Sequence, residues 1–180
     1  MIYLPAEDSY LIEKEVRRYS KSKSVLDIGS GSGILAKAAQ ESGAKSVLAV
    51  DINSEAVSYI KQKGIKTIRS DLFSKVKEKF DLIAFNPPYL PEDKREDKES
   101  ALATTGGKAG DEIILRFLKK VKNHLNKAGI VLLLLSSLTP RTRILKELKK
   151  QELVFDVIAS QKIFMEKLEV WKIADCNLAD

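Results

Sequence analysis

The chain has 180 residues, of which 44% are hydrophobic and 31% charged, a balance that excludes an intrinsically disordered protein and favours one domain spanning residues 1–180. A lone cysteine, Cys176, excludes an internal disulfide, and the longest apolar run, Ile130 to Leu135, is too short to cross a bilayer. The net charge of +6 combines 31 basic with 25 acidic residues in mixed stretches, which favours a solvated surface over a nucleic-acid-binding patch.

The first residues, 1–8, lack the basic segment and the small-residue cleavage site of a secretory signal, so we expect a cytoplasmic protein that is not in a membrane. Apolar runs then alternate with helical patterns along the chain. Strands are predicted at Ser24–Ile28, Ser46–Val50, Ile65–Arg69, Phe80–Phe85, Ile130–Ser136, Val154–Ala159 and Leu168–Ile173. Helices are predicted at Gly33–Ser42, Ser54–Lys63, Asp111–Asn126 and Pro140–Lys150. This alternation predicts an α/β fold with a doubly wound, mostly parallel seven-stranded sheet and a C-terminal antiparallel hairpin.

A glycine-rich turn follows the first predicted strand, in the segment Asp27-Ile28-Gly29-Ser30-Gly31-Ser32-Gly33. Glycines let a backbone approach a ligand closely, but this spacing differs from the Gly-x-Gly-x-x-Gly of dinucleotide-binding folds. The acid two residues before the first glycine suits a cationic ligand better than a phosphate. S-adenosylmethionine fits, because it carries an amino group and a sulfonium and has no phosphate. We therefore predict a site for this cofactor, with Asp27 accepting from its amino group, at Asp27, Gly29, Gly31 and Gly33.

Two further acids follow the next two predicted strands. Asp51 ends the second strand, where a carboxylate is placed to accept from both ribose hydroxyls, with Ile52 beside it in the cofactor site. Asp71 follows the third strand and is placed to accept from the adenine 6-amino group, with Leu72 against the ring. One glycine-rich turn is a weak signal, but its combination with two acids at consecutive strand ends is specific.

The segment Asn86-Pro87-Pro88-Tyr89 directly follows the fourth predicted strand. The side-chain carbonyl of Asn86 and the backbone carbonyl of Pro87 can together accept both hydrogens of a planar NH2 group. The prolines stiffen the chain that holds these acceptors, and the ring of Tyr89 offers a face for stacking. We predict that Asn86, Pro87 and Tyr89 are catalytic, that Pro88 completes the substrate site, and that Asn86 also contacts the cofactor. The long polar stretch that follows, Leu90 to Gly110, is typical of functional loops.

These motifs resemble those of class I S-adenosylmethionine-dependent methyltransferases that modify amino groups. Residues 3–10 are similar to the Pro-Ala-Glu-Asp-Thr/Ser entry motif of the HemK-like glutamine methyltransferases, and residues 106–118 to their Gly-Gly-x-x-Gly helix entry. Asn86-Pro87-Pro88-Tyr89-Leu90-Pro91 resembles their substrate loop. The match covers nearly the whole chain and is closest to the short archaeal and eukaryotic branch, which lacks the N-terminal helical domain of the bacterial PrmC-type enzymes.

The resemblance implies a Rossmann-like methyltransferase that modifies the glutamine side-chain amide in the Gly-Gly-Gln motif of a translation release factor. It also implies that the segment with Glu7 and Asp8 folds over the cleft and helps to bind substrate, although acids just ahead of a helix also serve as simple caps. The short branch works with a small zinc-containing activator protein, for which the strand at residues 65–69 would be the exposed edge. No residue of this chain itself is predicted to hold a metal.

Other functions compete with this one. A methyltransferase acting on adenine N6 or guanine N2 of RNA or DNA would use the same Asn-Pro-Pro-Tyr chemistry, because a flipped base presents a similar planar NH2 group. Protein lysine is less suited, because a tetrahedral ammonium has no flat face to hold. A catalytically silent cofactor-binding subunit is disfavoured by the presence of both Asn86 and Asp27. A nicotinamide-dependent oxidoreductase is disfavoured by the glycine spacing.

Overall fold

The computed structural model describes residues 5–89 and 105–178, and the structural statements below concern those residues. The helices are α1 (Glu7–Tyr19), α2 (Ile34–Glu41), α3 (Ser54–Gln62), α4 (Glu112–Val121) and α5 (Arg141–Lys150). The strands are β1 (Ser24–Ile28), β2 (Ser46–Asp51), β3 (Thr67–Arg69), β4 (Phe80–Phe85), β5 (Leu125–Ser136), β6 (Leu153–Ile163) and β7 (Glu166–Asp175). In this part of the chain, no helix combines the length and the apolar character needed to span a membrane.

The strands form a seven-stranded sheet in the order β3-β2-β1-β4-β5-β7-β6. Strands β1 to β5 are parallel, whereas β7 is antiparallel to both β5 and β6. The predicted fold, a mostly parallel sheet with a C-terminal antiparallel hairpin, is therefore confirmed. The strand order reverses between β1 and β4, which creates a crevice at the carboxyl ends of these strands, and ligands bind in such crevices in open α/β sheets.

Helices cover both faces of the sheet because its strands are apolar on both sides. Alternate residues of β4 show this, since Ile83 and Phe85 lie in the cluster that includes α4 and α5, whereas Leu82 and Ala84 lie in the cluster that includes α1 and α2. Each of these four residues is at most 1% exposed. Burying a large apolar side chain contributes about 1.5–3 kcal/mol, so β4 is a rigid support for the residues that follow it.

Several predicted boundaries differ from those observed, and β3 begins at Thr67 rather than at Ile65. The helix predicted at Asp111–Asn126 ends at Val121, because Lys122–His124 forms a 3-10 turn and Leu125 already begins β5 opposite Phe80. Glu7 and Asp8 were expected ahead of the first helix, but they form the first turn of α1, where acids interact favourably with the helix dipole.

Candidate active site

The predicted cofactor acid Asp27 lies near the carboxyl end of β1 and is only 1% exposed. Its Oδ2 accepts a hydrogen bond from the backbone N–H of Ala36 at 3.0 Å, so it caps the first turn of α2 from outside the helix. Its Oδ1 is buried and has no hydrogen-bond partner among the described residues. Burial raises the pKa of Asp27 to about 7, because the carboxylate has lost most of its hydration. A cation placed against Oδ1 would satisfy this group.

The glycine-rich turn connects β1 to α2 through three residues in the left-handed region, with φ of 65° at Gly29, 50° at Gly31 and 77° at Gly33. The third glycine has a packing role as well, because a Cβ at Gly33 would approach Cγ1 of Ile60 in α3 to 2.9 Å. The predicted glycine-rich turn is therefore present, and Gly33 allows α2 and α3 to pack closely beside it.

Asp51 lies at the end of β2 and holds this turn in place. Its Oδ2 accepts from the backbone N–H of Gly31 at 2.8 Å, and its Oδ1 accepts from the backbone N–H of Asn53 at 2.8 Å. Each carboxylate oxygen can accept a second hydrogen bond, so the predicted ribose contact is compatible with these bonds. Ile52, which is more than half exposed, presents an apolar surface at the same strand end.

Asp71 lies beyond β3, as predicted, but it has a partner that the sequence did not reveal. Its Oδ2 accepts from Nη2 of Arg116 in α4 at 2.5 Å. Both side chains are about half exposed, so this ion pair contributes little stability and can rearrange around a ligand. Leu72 beside it has a φ of 47°, an uncommon conformation for a leucine.

The side chain of Asn86 is held from α1. Its Nδ2 donates to Oδ2 of Asp8 at 3.1 Å and lies 3.5 Å from Oγ of Ser9, although these residues are 78 and 77 positions apart in the chain. Asp8 is 6% exposed, and its Oδ1 also accepts from Ser9, from the backbone N–H at 2.6 Å and from Oγ at 3.1 Å. An ionised carboxylate only accepts hydrogen bonds, so Asp8 fixes which end of the Asn86 amide faces it.

The other end of that amide, Oδ1 of Asn86, is buried and has no partner among the described residues. The sequence predicted Asn86 as an acceptor, and the contact with Asp8 explains how its oxygen is kept available. Glu7, predicted together with Asp8, is exposed on the same helical turn, and the contact to Asn86 comes from Asp8. Ser9, which was not predicted, adds a second contact.

The Gly-Gly-x-x-Gly segment lies against the Asn-Pro-Pro-Tyr segment. A Cβ at Gly106 would come within 2.7 Å of the backbone oxygen of Pro88, so only glycine fits there. The segment is closed by Glu112, whose carboxylate accepts from the backbone N–H groups of Ala109 and Gly110 at 3.2 Å. The two motifs therefore pack directly against each other. The charged part of the loop between them, residues 90–104, lies outside the described residues.

We expect Asp8→Asn to lower kcat for methyl transfer about 10–100-fold, because an amide at position 8 can donate as well as accept and no longer fixes the Asn86 amide; small misplacements of reacting groups cost about this much. Cofactor affinity should change less than about threefold, because Asp8 contacts Asn86 rather than the glycine-rich turn. Single-turnover transfer and calorimetric cofactor binding measure the two quantities.

Glu7→Gln is the matched control for this prediction, since it removes a charge from the same helical turn at an exposed position. It should leave kcat within about twofold of the unsubstituted protein, as surface substitutions usually do. Equal losses in Glu7→Gln and Asp8→Asn would show that the charge of this turn matters rather than the contact with Asn86.

Comparison with known proteins identifies the family. Residues 9–164 match the family described as "Methyltransferase small domain", which is more than half of the chain. The chain belongs to this family. It is 40% identical over 183 residues to a Methanocaldococcus jannaschii protein named as a protein N5-glutamine methyltransferase, covering 96% of this chain and 92% of that protein. It is 29% identical over 189 residues to human methyltransferase HEMK2, covering 95% and 88% of the two chains.

Among solved structures, this methyltransferase resembles Mtq2 of E. cuniculi, solved in complex with Trm112. The TM-score is 0.78 with 25% identity, and the match covers 96% of this chain and 97% of that one. The Mtq2–Trm112 complex is responsible for the methylation of the translation termination factor eRF1. The predicted membership of the HemK-like class I methyltransferases is thereby confirmed.

Proposed function

We propose that this methyltransferase transfers a methyl group from S-adenosylmethionine to the glutamine side-chain amide in the Gly-Gly-Gln motif of a translation release factor, in the cytoplasm. The observation that carries the proposal is the arrangement of Asn86. Asp8 occupies its NH2 group, and its carbonyl oxygen is buried without a partner in the described residues. A buried acceptor of this kind costs about 1–3 kcal/mol unless it is used, and a planar NH2 group would use it.

The cofactor assignment is supported by the residues at the ends of β1 and β2. The unpartnered Oδ1 of Asp27 suits the amino group of S-adenosylmethionine. Nearby Asp51 adds negative charge, which favours a cationic ligand over a phosphate. We assign Gly29, Gly31 and Gly33 to the turn along the cofactor. Asp51 with Ile52 and Asp71 with Leu72 are assigned to its nucleoside part.

The reaction needs accurate placement more than a strong base. When bound, S-adenosylmethionine supplies an electrophilic methyl group. An amide nitrogen is a poor nucleophile because its lone pair is delocalised into the carbonyl, so the protein has to orient it. Oδ1 of Asn86 and the backbone carbonyl of Pro87 would accept the two N–H groups of the substrate amide, and Tyr89 would stack on its plane. Pro88 would stiffen the segment between them.

The contributions of these residues follow from general magnitudes. Positioning of two reacting groups contributes up to about 7–11 kcal/mol. The carbonyl dipoles of Asn86 and Pro87 also favour the positive charge that develops on the nitrogen, by roughly 3 kcal/mol per group if they act as the donors of oxyanion holes do. The methylated amide nitrogen is strongly acidic while it carries the extra proton, so that proton passes to solvent water and no dedicated base is needed.

The choice of substrate is supported by the relatives. The M. jannaschii relative is named for protein glutamine, and the Mtq2–Trm112 complex methylates a translation termination factor. The planar NH2 group of adenine or guanine would fit the same acceptors. Methylation of a nucleic acid is therefore the alternative that an experiment has to distinguish from methylation of a release factor.

A transfer assay with methyl-labelled cofactor tests this function. It offers in parallel a translation release factor, the same factor with its Gly-Gly-Gln glutamine replaced by alanine, and total RNA. We expect label on the first and none on the second or third. Label on RNA with none on the release factor would overturn the proposal in favour of a nucleic-acid methyltransferase.

We further propose that a small activator protein of the Trm112 kind pairs with β3, which is an edge strand of only three residues, Thr67–Arg69. The backbones of Lys66 and Ser70 bond to β2. The backbone N–H and C=O groups of successive residues in a strand point alternately to its two sides. The groups of Thr67 and Arg69 therefore point away from β2, to the open edge of the sheet. That edge offers an added strand the groups it needs.

Thr67→Pro tests this partnership, because proline removes an outward N–H group while keeping the bonds between β3 and β2. We expect this variant to lose co-purification with a Trm112-type protein, whereas Thr67→Val, which keeps the N–H group, should retain it. Thermal unfolding of the variant without its partner would show that the variant is folded. Retention of the partner by folded Thr67→Pro would exclude pairing at this edge.

A further inference from the structure

The tip of the β6–β7 hairpin presents two large apolar side chains to solvent, Phe164 at 91% exposure and Met165 at 84%. Ile163 and Glu166 are the last paired residues, so Phe164 and Met165 form the whole turn. Met165 has a φ of 63°, a conformation for which turns favour glycine or asparagine. Both the exposure and the backbone thus favour other residues here, and no contact within residues 5–89 and 105–178 accounts for this pair.

The hairpin tip lies on the same edge of the sheet as the candidate active site. Phe85 of β4 is level with Leu133 of β5, which is level with Trp171 of β7. Because β7 runs antiparallel, its first residues extend past the end of β5, and the backbone N–H of Ser137 donates to the carbonyl of Lys167 at 2.8 Å. Met165 and Trp171 are six positions apart in the chain, so the tip rises about 20 Å beyond the level of Phe85, at a lateral distance of about 10 Å from β4.

The candidate active site and the hairpin rest on the same buried cluster. Tyr89 packs against a buried cluster that contains Leu168 and Val170 of β7. Ile163, at the end of β6, packs against the same cluster. Phe164 and Met165 directly follow Ile163 and are exposed to solvent. The amide held at Asn86 does not itself reach the tip, whereas a folded protein that inserts one loop at Asn86 would span the distance of about 20 Å.

The charges beside the tip point to an acidic border on the partner. Lys162 and Lys167 are paired directly across the hairpin, and both are exposed. Like charges in this position destabilise a sheet, and an ion pair of Lys167 with Glu169 at 3.0 Å relieves part of that repulsion. Glu166, the acidic residue of the tip itself, accepts a hydrogen bond from Oγ of Ser136, so a carboxylate from a partner would relieve the lysine pair further.

We propose that the hairpin tip is a docking point for the protein substrate, contacting an apolar patch bordered by carboxylates on the release factor beside its Gly-Gly-Gln loop. This inference rests on the proposed function and adds to it a second contact, remote from the transferred methyl group. A contact that is made equally in the ground state and in the transition state lowers KM for the whole protein without changing kcat.

The test uses the double variant Phe164→Asn with Met165→Gly, which removes both apolar side chains and places glycine at the left-handed position, so the hairpin should keep or gain stability. Methyl transfer is measured on the intact release factor and on a short peptide containing Gly-Gly-Gln. We expect KM for the protein to rise roughly tenfold with kcat unchanged, and kcat/KM for the peptide to stay the same, as for loss of one apolar anchor.

The matched control is Val154→Ser with Val157→Ser, which removes two exposed apolar side chains from β6 at positions further from the tip. It should leave both substrates unaffected. An unchanged KM for the protein in the tip variant, or equal losses with protein and peptide, would overturn the docking inference alone. If the unsubstituted enzyme labels neither the protein nor the peptide, the proposed function is overturned. The release factor is then also excluded as the protein that docks at the hairpin tip.

Discussion

Asn86→Ala is expected to lower kcat for methyl transfer at least about a thousandfold while Kd for the cofactor changes less than about threefold. The substitution removes the buried Oδ1 that would hold the substrate amide, and removing a single group aimed at developing charge costs about 2.7–4 kcal/mol. It also removes the orientation of the nitrogen. Single-turnover transfer to the release factor measures kcat, and calorimetry measures cofactor binding.

Asn86→Asp is the informative companion to this variant, because it keeps the size of the side chain but places a second carboxylate against Asp8. The repulsion would turn the group away or force one carboxyl to hold a proton, so kcat should fall to nearly the level of Asn86→Ala. Near-normal turnover in Asn86→Ala would eliminate the proposed mechanism, whatever the substrate.

The fold could be predicted from the sequence because each buried strand is a short apolar run bounded by glycine or polar residues. Strand β4 was predicted to the residue at Phe80–Phe85, and it is buried on both faces. The hairpin strands are longer than predicted, because polar residues such as Gln161 and Lys162 occupy the partly solvated edge strand β6 and give no apolar signal. The early start of β5 depends on pairing of Leu125 with Phe80, which is a long-range contact without a local pattern.

The site could be predicted only as far as residue types at strand ends reveal it. Asp27, Asp51 and Asn86 all lie at the carboxyl ends of their strands, because parallel strands place those ends on one edge. The partners that orient these groups come from distant segments. Asp8 and Asn86 are 78 positions apart, and Asp71 and Arg116 are 45 apart, so only the tertiary structure could show these contacts.

Asp27→Asn is expected to raise the Kd for S-adenosylmethionine at least about a hundredfold at pH 7.5, because loss of one partner from a buried charge pair costs about 2–5 kcal/mol. Asparagine keeps an oxygen for the backbone N–H of Ala36, so the capping of α2 is preserved.

The Kd for S-adenosylmethionine should also depend on pH in the unsubstituted protein. Below the Asp27 pKa of about 7 the carboxyl is protonated, so affinity should fall about tenfold per pH unit. A variant with unchanged affinity would remove Asp27 from the cofactor site.

The same carboxyl makes a prediction for the cofactor-free protein with the opposite sign. Its pKa rises from 3.8 in the unfolded chain to about 7 in the folded one, so the folded state retains the proton more tightly. Its contribution to stability is complete below 3.8 and is lost as pH rises to about 7. Relative to Asp27→Asn, the unsubstituted protein should therefore lose about 3 kcal/mol of unfolding free energy between pH 4.5 and pH 7.5, at about 1.36 kcal/mol per pH unit. Urea unfolding of both proteins at the two pH values measures this difference, and a constant difference would show that Asp27 is ionised throughout.

Saturating cofactor should remove this loss of unfolding free energy at pH 7.5 in the unsubstituted protein but not in Asp27→Asn, because only an ionised Asp27 can pair with the amino group. That result would link the buried carboxyl of β1 to the group that it is proposed to bind.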